Sequence, residues 1–211
     1  HISYLASDEL QGRLTGSSGE KRAADYIAQE FKALGLKPYA NNSYFQTFNY
    51  KVKLNPHATD GSGDKANNGT NVIAFLDNKA AKTIVIGAHY DHLGKSQGKV
   101  YNGADDDGSG TSTILALATA FAEAQKAGYK PSRSILLMTV AGEEMGLLGS
   151  EFYTEHPIIP LEKTVCNLNI DMVGRIDHYH EEEKETLRTQ SHICASVATN
   201  QFMTKIIFAK K

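Results

Sequence analysis

The stretch TIVIGAHYDHLG, residues 83–94, changes character halfway along. From Thr83 to Ala88 it is β-prone and apolar or small, without polar alternation, as expected of a strand buried on both faces. His89, Tyr90, Asp91 and His92 then bring imidazoles and a carboxylate together at the strand's end. Ligands of open α/β sheets sit in the crevice outside the carboxyl ends of the strands. Working outward, the pattern repeats. Residues 71–76, 134–140 and 164–170 are similar runs; the second leads into Ala141-Gly142-Glu143-Glu144 and the third into Asp171. Residues 109–127 are helical in period, with Ile114, Leu115, Leu117, Ala118, Phe121 and Ala122 on the apolar side and Gly128 as the stop. Residues 146–156 form a shorter helix that ends before Pro157. Strands alternating with helices predict an α/β three-layer sandwich with a mostly parallel mixed central sheet.

Upstream, residues 17–35 read as a helix, with Ser17 and Glu20 as a capping box and Gly35 as a left-handed stop. Residues 41–70 are polar and aromatic, which predicts a short strand or two and a long loop, with turns at Gly61-Ser62-Gly63 and Asn68-Gly69. Asn41 and Asn68 each open a glycosylation acceptor pattern, relevant in a eukaryotic secretory host. The 211 residues are 41% hydrophobic and 22% charged, ordinary for one globular domain with a sizeable core. A net charge of -2 gives no electrostatic case for nucleic acid or an anionic membrane, and no apolar run approaches the length of a bilayer span. The chain opens on His1 without a basic-then-apolar leader, so a processed or cut start is expected. Cys166 and Cys194 lack C-x-x-C spacing; Cys166 reads as a small buried hydrophobe, and a bridge between the two stays open.

Residues 101–110, YNGADDDGSG, enter the helix near Ser109 with three adjacent aspartates. With the groups after the three strands, they place four sets of His, Asp and Glu at one sheet edge. So many carboxylates need a counter-charge, and a divalent cation supplies one. Oxygen and imidazole donors suit zinc ahead of cobalt or manganese. A calcium loop of the EF-hand type needs alternate acids and a later Glu, which the run Asp105-Asp106-Asp107-Gly108 lacks.

HYDHLG at 89–94, NGADDDGSG at 102–110, AGEEMGLLGS at 141–150 and NIDMVGR at 169–175 together resemble the co-catalytic zinc aminopeptidases of the M28 type. The resemblance runs from about residue 3 to 176, in the family's motif order. It implies a zinc-exopeptidase fold in which Asp106 bridges two zinc ions, His89 and Asp171 complete one, and Glu144 binds the other. It makes Glu143 the general base and Asp91 the residue that fixes the His89 tautomer from its far side. Asp105 and Asp107 are then flanking residues that cap the helix or face solvent. His92 reads as structural beside the site, His57 as exposed, and His156 as a helix-end cap.

The resemblance also implies a further histidine well beyond Asp171, and the last 40 residues hold no matching segment. Residues 1–176 are expected to form the catalytic domain and 177–211 a divergent tail. Three readings stay open: a chain truncated at the C-terminus; His178, His180 or His192 as the substitute ligand; or completion by a second copy. The expectation is two zinc ions per chain if that ligand is supplied, otherwise one. An incomplete sheet edge would invite homo-oligomers. Peptides are the implied substrates, trimmed from the N-terminus, with an apolar first residue as the family default. Export, secreted or periplasmic, follows from the resemblance too. The alternatives are a weakly active or inactive metal-binding protein, or a relative of the glutaminyl cyclases or carboxypeptidases.

Overall fold

The apolar runs read above are the strands at the centre of one mixed sheet. The computed structural model describes residues 1–38, 42–52 and 65–175, and the backbone of Ala195–Thr199. In chain order the elements are α1 (Ile2–Leu5), α2 (Ser18–Ala33), β1 (Lys37–Pro38), β2 (Phe45–Val52), β3 (Lys65–Leu76), β4 (Thr83–His89), β5 (Gly94–Ser96), β6 (Lys99–Tyr101), α3 (Gly108–Lys126), β7 (Ser134–Val140), α4 (Leu148–Glu155), β8 (Thr164–Ile170) and β9 (Ala195–Thr199). The sheet runs β1-β3-β7-β4-β8-β9, with β2 also on β3. β4 is parallel to both β7 and β8, and the remaining pairings are antiparallel. The parallel part is therefore the middle of the sheet, where all the site-bearing strand ends point the same way. No helix among the described residues is long and apolar enough to cross a membrane.

Two apolar clusters cover the sheet and make it the middle of three layers. On one face Ile27 and Phe31 of α2 and Ile114 and Leu115 of α3 pack with Val72, Ile86, Leu137 and Ile170. On the other, Ile73, Val85, Leu136 and Met138 meet Tyr153 of α4 and Ile159. Adjacent residues Leu136 and Leu137 thus face opposite layers, so β7 is buried along its whole length and reads as an unbroken apolar run. β8 is more open than expected, with Val165 39% exposed. β9 pairs with β8 from Cys166↔Thr199 to Ile170↔Ala195, so the segment after residue 176 contributes a strand to the sheet that its sequence did not announce.

Both long helices start and stop where their sequences say. Ser17 caps α2 by accepting from the Glu20 N–H, and Asp107 caps α3 by accepting from the Gly110 N–H. The other half of the expected capping box goes elsewhere: the Glu20 carboxylate accepts from the Tyr90 hydroxyl and the Thr70 N–H. The largest correction concerns residues 41–70. The flanks of this segment are not a short strand or two: β2 and β3 form an eight-pair antiparallel ladder from Phe45↔Val72 to Val52↔Lys65, and the loop expected between them, residues 53–64, lies outside the described residues. Asn68-Gly69 is not a turn but lies inside β3. A Cβ on Gly69 would stand 2.5 Å from Cζ of Phe48 and 2.9 Å from Cγ2 of Thr15, so close approach of the buried ring selects glycine there. The expected turn at Gly61-Ser62-Gly63 lies outside the described residues.

Candidate metal centre

Four loops at the carboxyl end of the parallel strands build the site, and buried polar side chains fix each one. His89 is the last residue of β4. Its backbone N–H donates to Asp107 and its carbonyl accepts from Thr111 of α3, which locks the strand end onto the helix start. The Asp107 carboxylate also accepts from the Met172 N–H after β8, so one buried side chain joins three of the loops. Burial pushes the Asp107 carboxyl up to about 8, against the pull of His89 and of its N–H donors. The Asp106–Asp107 peptide is cis. The Glu143–Glu144 loop is held at both ends by Asn71 of β3, which accepts from the Ala141 N–H and donates to the Gly149 carbonyl.

Within this frame the donors form two groups that share a residue. His89, Asp106 and Asp171 form one, and His92, Asp106 and Glu144 form the other; within each, the ligand atoms lie within 4.8 Å of one another. Nε2 of His89 is 3.1 Å from Oδ1 of Asp106 and 3.7 Å from Oδ1 of Asp171. Two donors on one tetrahedral zinc stand about 3.3 Å apart, so these separations suit a shared ion. Three buried donor atoms, Nδ1 of His92, Oε1 of Glu144 and Oδ1 of Asp171, have no hydrogen-bond partner among the described residues. Orphaned donors converging from different loops fit a cation far better than they fit water-excluded packing. The residues present therefore fit zinc.

Electrostatics agree with that fit. Burial alone would pull His89 down, but Asp106, Asp171 and Asp91 outweigh it and hold the imidazole well above its usual range. The hydrogen bond from His89 in turn holds Asp106 below the usual carboxylate range. Burial raises Glu143, helped by the neighbouring carboxylates of Glu144, Asp91 and Asp171 and opposed by His89. A carboxylate raised in this way is better suited to take and return protons near neutrality.

The structure places Asp91 behind His89. Its carbonyl is 3.2 Å and its Oδ1 3.5 Å from Nδ1 of His89. Its carboxylate also accepts from the Thr15 hydroxyl and the Glu143 N–H, and Thr15 Oγ1 accepts from the Gly142 N–H. Asp91 thus ties the first imidazole to the Glu143 loop. Of the flanking aspartates, Asp107 is the helix cap but is fully buried, against the solvent-facing alternative. Asp105 accepts from the Gly174 N–H and pairs with Arg175. His92, read from the sequence as structural beside the site, lies with Asp106 and Glu144 in the second donor group. His156 ends α4 and stacks on Phe152 at 4.3 Å, as a helix-end residue should. His57, His178, His180, His192 and Cys194 lie outside the described residues, and with them the substitute-ligand and bridge expectations.

Sequence reasoning missed Arg13, which is wholly buried. Its guanidinium donates to the carbonyls of Tyr90, Leu5, Asn102 and Gly103, joining the turn after β4 to the loop that delivers Asp106. An isolated arginine in a polar N-terminal segment carries no sequence signal for this. Beside the centre lies a cavity of about 110 Å³, with Met138, Val140, Leu147 and Tyr153 as its apolar wall and His89, Glu143 and Asp171 at its polar end.

Comparison with known proteins places this geometry. Residues 71–202 match the model of peptidase family M28. A protein of Arthroderma otae named "Probable leucine aminopeptidase" is 40% identical over 103 residues, covering 48% of this chain and 29% of the relative. The chain thus spans under a third of that curated relative's length. Among solved structures, the aminopeptidase from Aneurinibacillus sp. strain AM-1 superposes with a TM-score of 0.65 at 18% identity, covering 83% of this chain and 69% of that one. A glutaminyl cyclase from Porphyromonas gingivalis superposes with a TM-score of 0.59 at 20% identity, covering 82% of this chain and 57% of its own. At these identities the structural likeness shows the fold, which aminopeptidases and cyclases share.

Proposed function

The chain belongs to peptidase family M28, and from that premise we propose that it is a zinc-dependent aminopeptidase that removes N-terminal residues from peptides. The observation that carries this reading is the pair of three-donor groups sharing Asp106, with Glu143 lining the cavity that His89 and Asp171 also line. His89, Asp106 and Asp171 would hold one zinc, and Asp106 and Glu144 would take part in holding a second, giving two per chain. When bound, zinc supplies Lewis acidity, which acidifies water and stabilises charge developing on a carbonyl oxygen.

The protein's own groups do the rest. Glu143 takes a proton from the attacking water and returns it to the departing amine. Its N–H is tethered to Asp91, which keeps the carboxylate beside the first donor group. Asp91 holds the far nitrogen of His89, leaving Nε2 directed at Asp106 and Asp171. The apolar wall of Met138, Val140, Leu147 and Tyr153 fits the side chain of an apolar N-terminal residue. All these residues fall within 1–176, which we take as the catalytic unit, with 177–211 as its extension. Export of the protein is proposed on the family resemblance alone.

The test is hydrolysis of leucyl-p-nitroanilide by the purified chain, with and without a chelator and after zinc is restored. Activity lost to the chelator and regained with zinc is expected. Zinc bound without turnover across a panel of N-terminal residues would make the chain a metal-binding protein. Release of pyroglutamyl product from N-terminal glutamine without hydrolysis would make it a cyclase.

A further inference from the structure

Among the described residues, one imidazole stands with the two carboxylates of the second donor group. We propose that His92 supplies that imidazole to the second ion. The inference rests on the zinc-centre reading and adds to it a ligand that neither the family resemblance nor the sequence motifs assign. His92 follows Asp91 on the turn after β4 and is 8% exposed. Its Nδ1 stands 2.6 Å from Oε1 of Glu144, close enough for a hydrogen bond but without the angles of one, so neither atom has a hydrogen-bond partner among the described residues. Asp106 closes the group. On a tetrahedral zinc the two donors would stand about 3.3 Å apart, a separation the longer Glu144 side chain reaches by a small torsion.

The placement of His92 is not incidental to the fold. Its N–H donates to the Arg13 carbonyl at 3.3 Å. The Arg13 guanidinium holds the carbonyls of Tyr90, two residues before His92, and of Gly103, three residues before Asp106. One buried side chain thus sets the spacing between the turn that carries His92 and the loop that carries the shared aspartate. An imidazolium paired with Glu144 is the competing arrangement. It would show hydrogen-bond angles between the two groups and would not need Asp106.

The experiment uses the whole chain, stripped and reloaded with zinc, then with cobalt(II) for its visible absorption. Wild type should bind two equivalents. His92→Gln should keep the first and lose affinity for the second about 100-fold or more, the upper end of the loss seen when even an indirect partner of a ligand is removed. A triple variant, His178→Gln, His180→Gln and His192→Gln, should still bind two. To separate loss of a ligand from a disturbed fold, the wild type is also labelled at histidine, and the His92 Nδ1 resonance should move with the second zinc equivalent. An unmoved resonance, or unchanged binding of the second equivalent by His92→Gln, overturns the assignment while leaving the first site intact. Loss of the second equivalent in the triple variant alone also overturns it. Failure of wild type to bind any zinc takes down the zinc-centre reading and this proposal together.

Discussion

Replacing Arg13 by lysine keeps the charge and removes the fork, which makes it a sharp test of how the centre is held. The guanidinium donates to four carbonyls: Tyr90 at 2.6 Å, Asn102 at 2.7 Å, Gly103 at 2.8 Å and Leu5 at still closer range. Burial lowers the Arg13 pKa to about 10, against the raising effect of Asp91, Asp107 and Asp106, so it stays protonated at neutral pH. A lysine ammonium on the same path reaches two of those carbonyls and strands the other two. Each charged hydrogen bond lost contributes about 1.5–3 kcal/mol, so Arg13→Lys should cost about 3–6 kcal/mol. That is a large part of the ~5–15 kcal/mol that holds an ordinary domain together. Urea unfolding followed by circular dichroism reads the loss directly. Zinc retention should fall with it, because the same contacts set the distance between the β4 turn and Asp106. Stability within about 0.5 kcal/mol of wild type would refute the reasoning, since it would mean that the four carbonyls do not depend on the fork.

Glu143→Ala should keep its zinc and lose about 100- to 10,000-fold in kcat, the usual contribution of a positioned base, whereas Asp106→Ala should lose both ions; metal analysis beside steady-state kinetics separates them. Gly69→Ala should destabilise by about 1–3 kcal/mol in urea, because the added methyl meets the buried Phe48 ring; a neutral effect would show that the ring can retreat. Burial raises Glu20 from 4.5 to about 7, against hydrogen bonds from Tyr90 and Thr70. The native state therefore binds this proton more tightly than the unfolded chain. The stability it contributes is complete below about pH 4.5 and is lost as pH rises through about 7. Glu20→Gln should thus gain up to about 3 kcal/mol on wild type between pH 4 and pH 8, and a pH-independent difference in urea midpoints would rule this out.

The parts of the fold legible in the sequence are those where burial is uniform or strictly periodic. β7 is buried at every position and reads as an unbroken apolar run, and α2 and α3 keep helical spacing between a side-chain cap and a glycine. The β2–β3 ladder was hidden because residues 65–70 of β3 are polar and its glycine resembles a turn signal. That glycine is selected by a ring from the neighbouring strand, a constraint that exists only once the strands have paired. The same limit applies to the site. The donor residues stand out because acids and imidazoles cluster after apolar strands, where nothing structural requires them. The approach of His92 to Glu144 was not legible, since adjacency to Asp91 says nothing of which loop its ring will face.

Arg13, Thr15 and Asn71 show why the holding groups stay silent while the donors are visible. Each is buried and binds backbone or a neighbouring side chain rather than joining a donor group: Arg13 takes four carbonyls, Thr15 joins the Gly142 N–H to Asp91, and Asn71 clasps Ala141 and Gly149 and donates to Gln46. The fold thus spends its buried polar side chains on positioning loops. It leaves Nδ1 of His92, Oε1 of Glu144 and Oδ1 of Asp171 without a hydrogen-bond partner among the described residues where the loops meet. A centre shaped by packing alone would do the reverse, since unsatisfied buried donors cost more than unsatisfied loops at a surface. Fixed backbone around unsatisfied donors is what a metal site requires: the ligands are held apart in advance, and the ion supplies the interaction that the protein withholds.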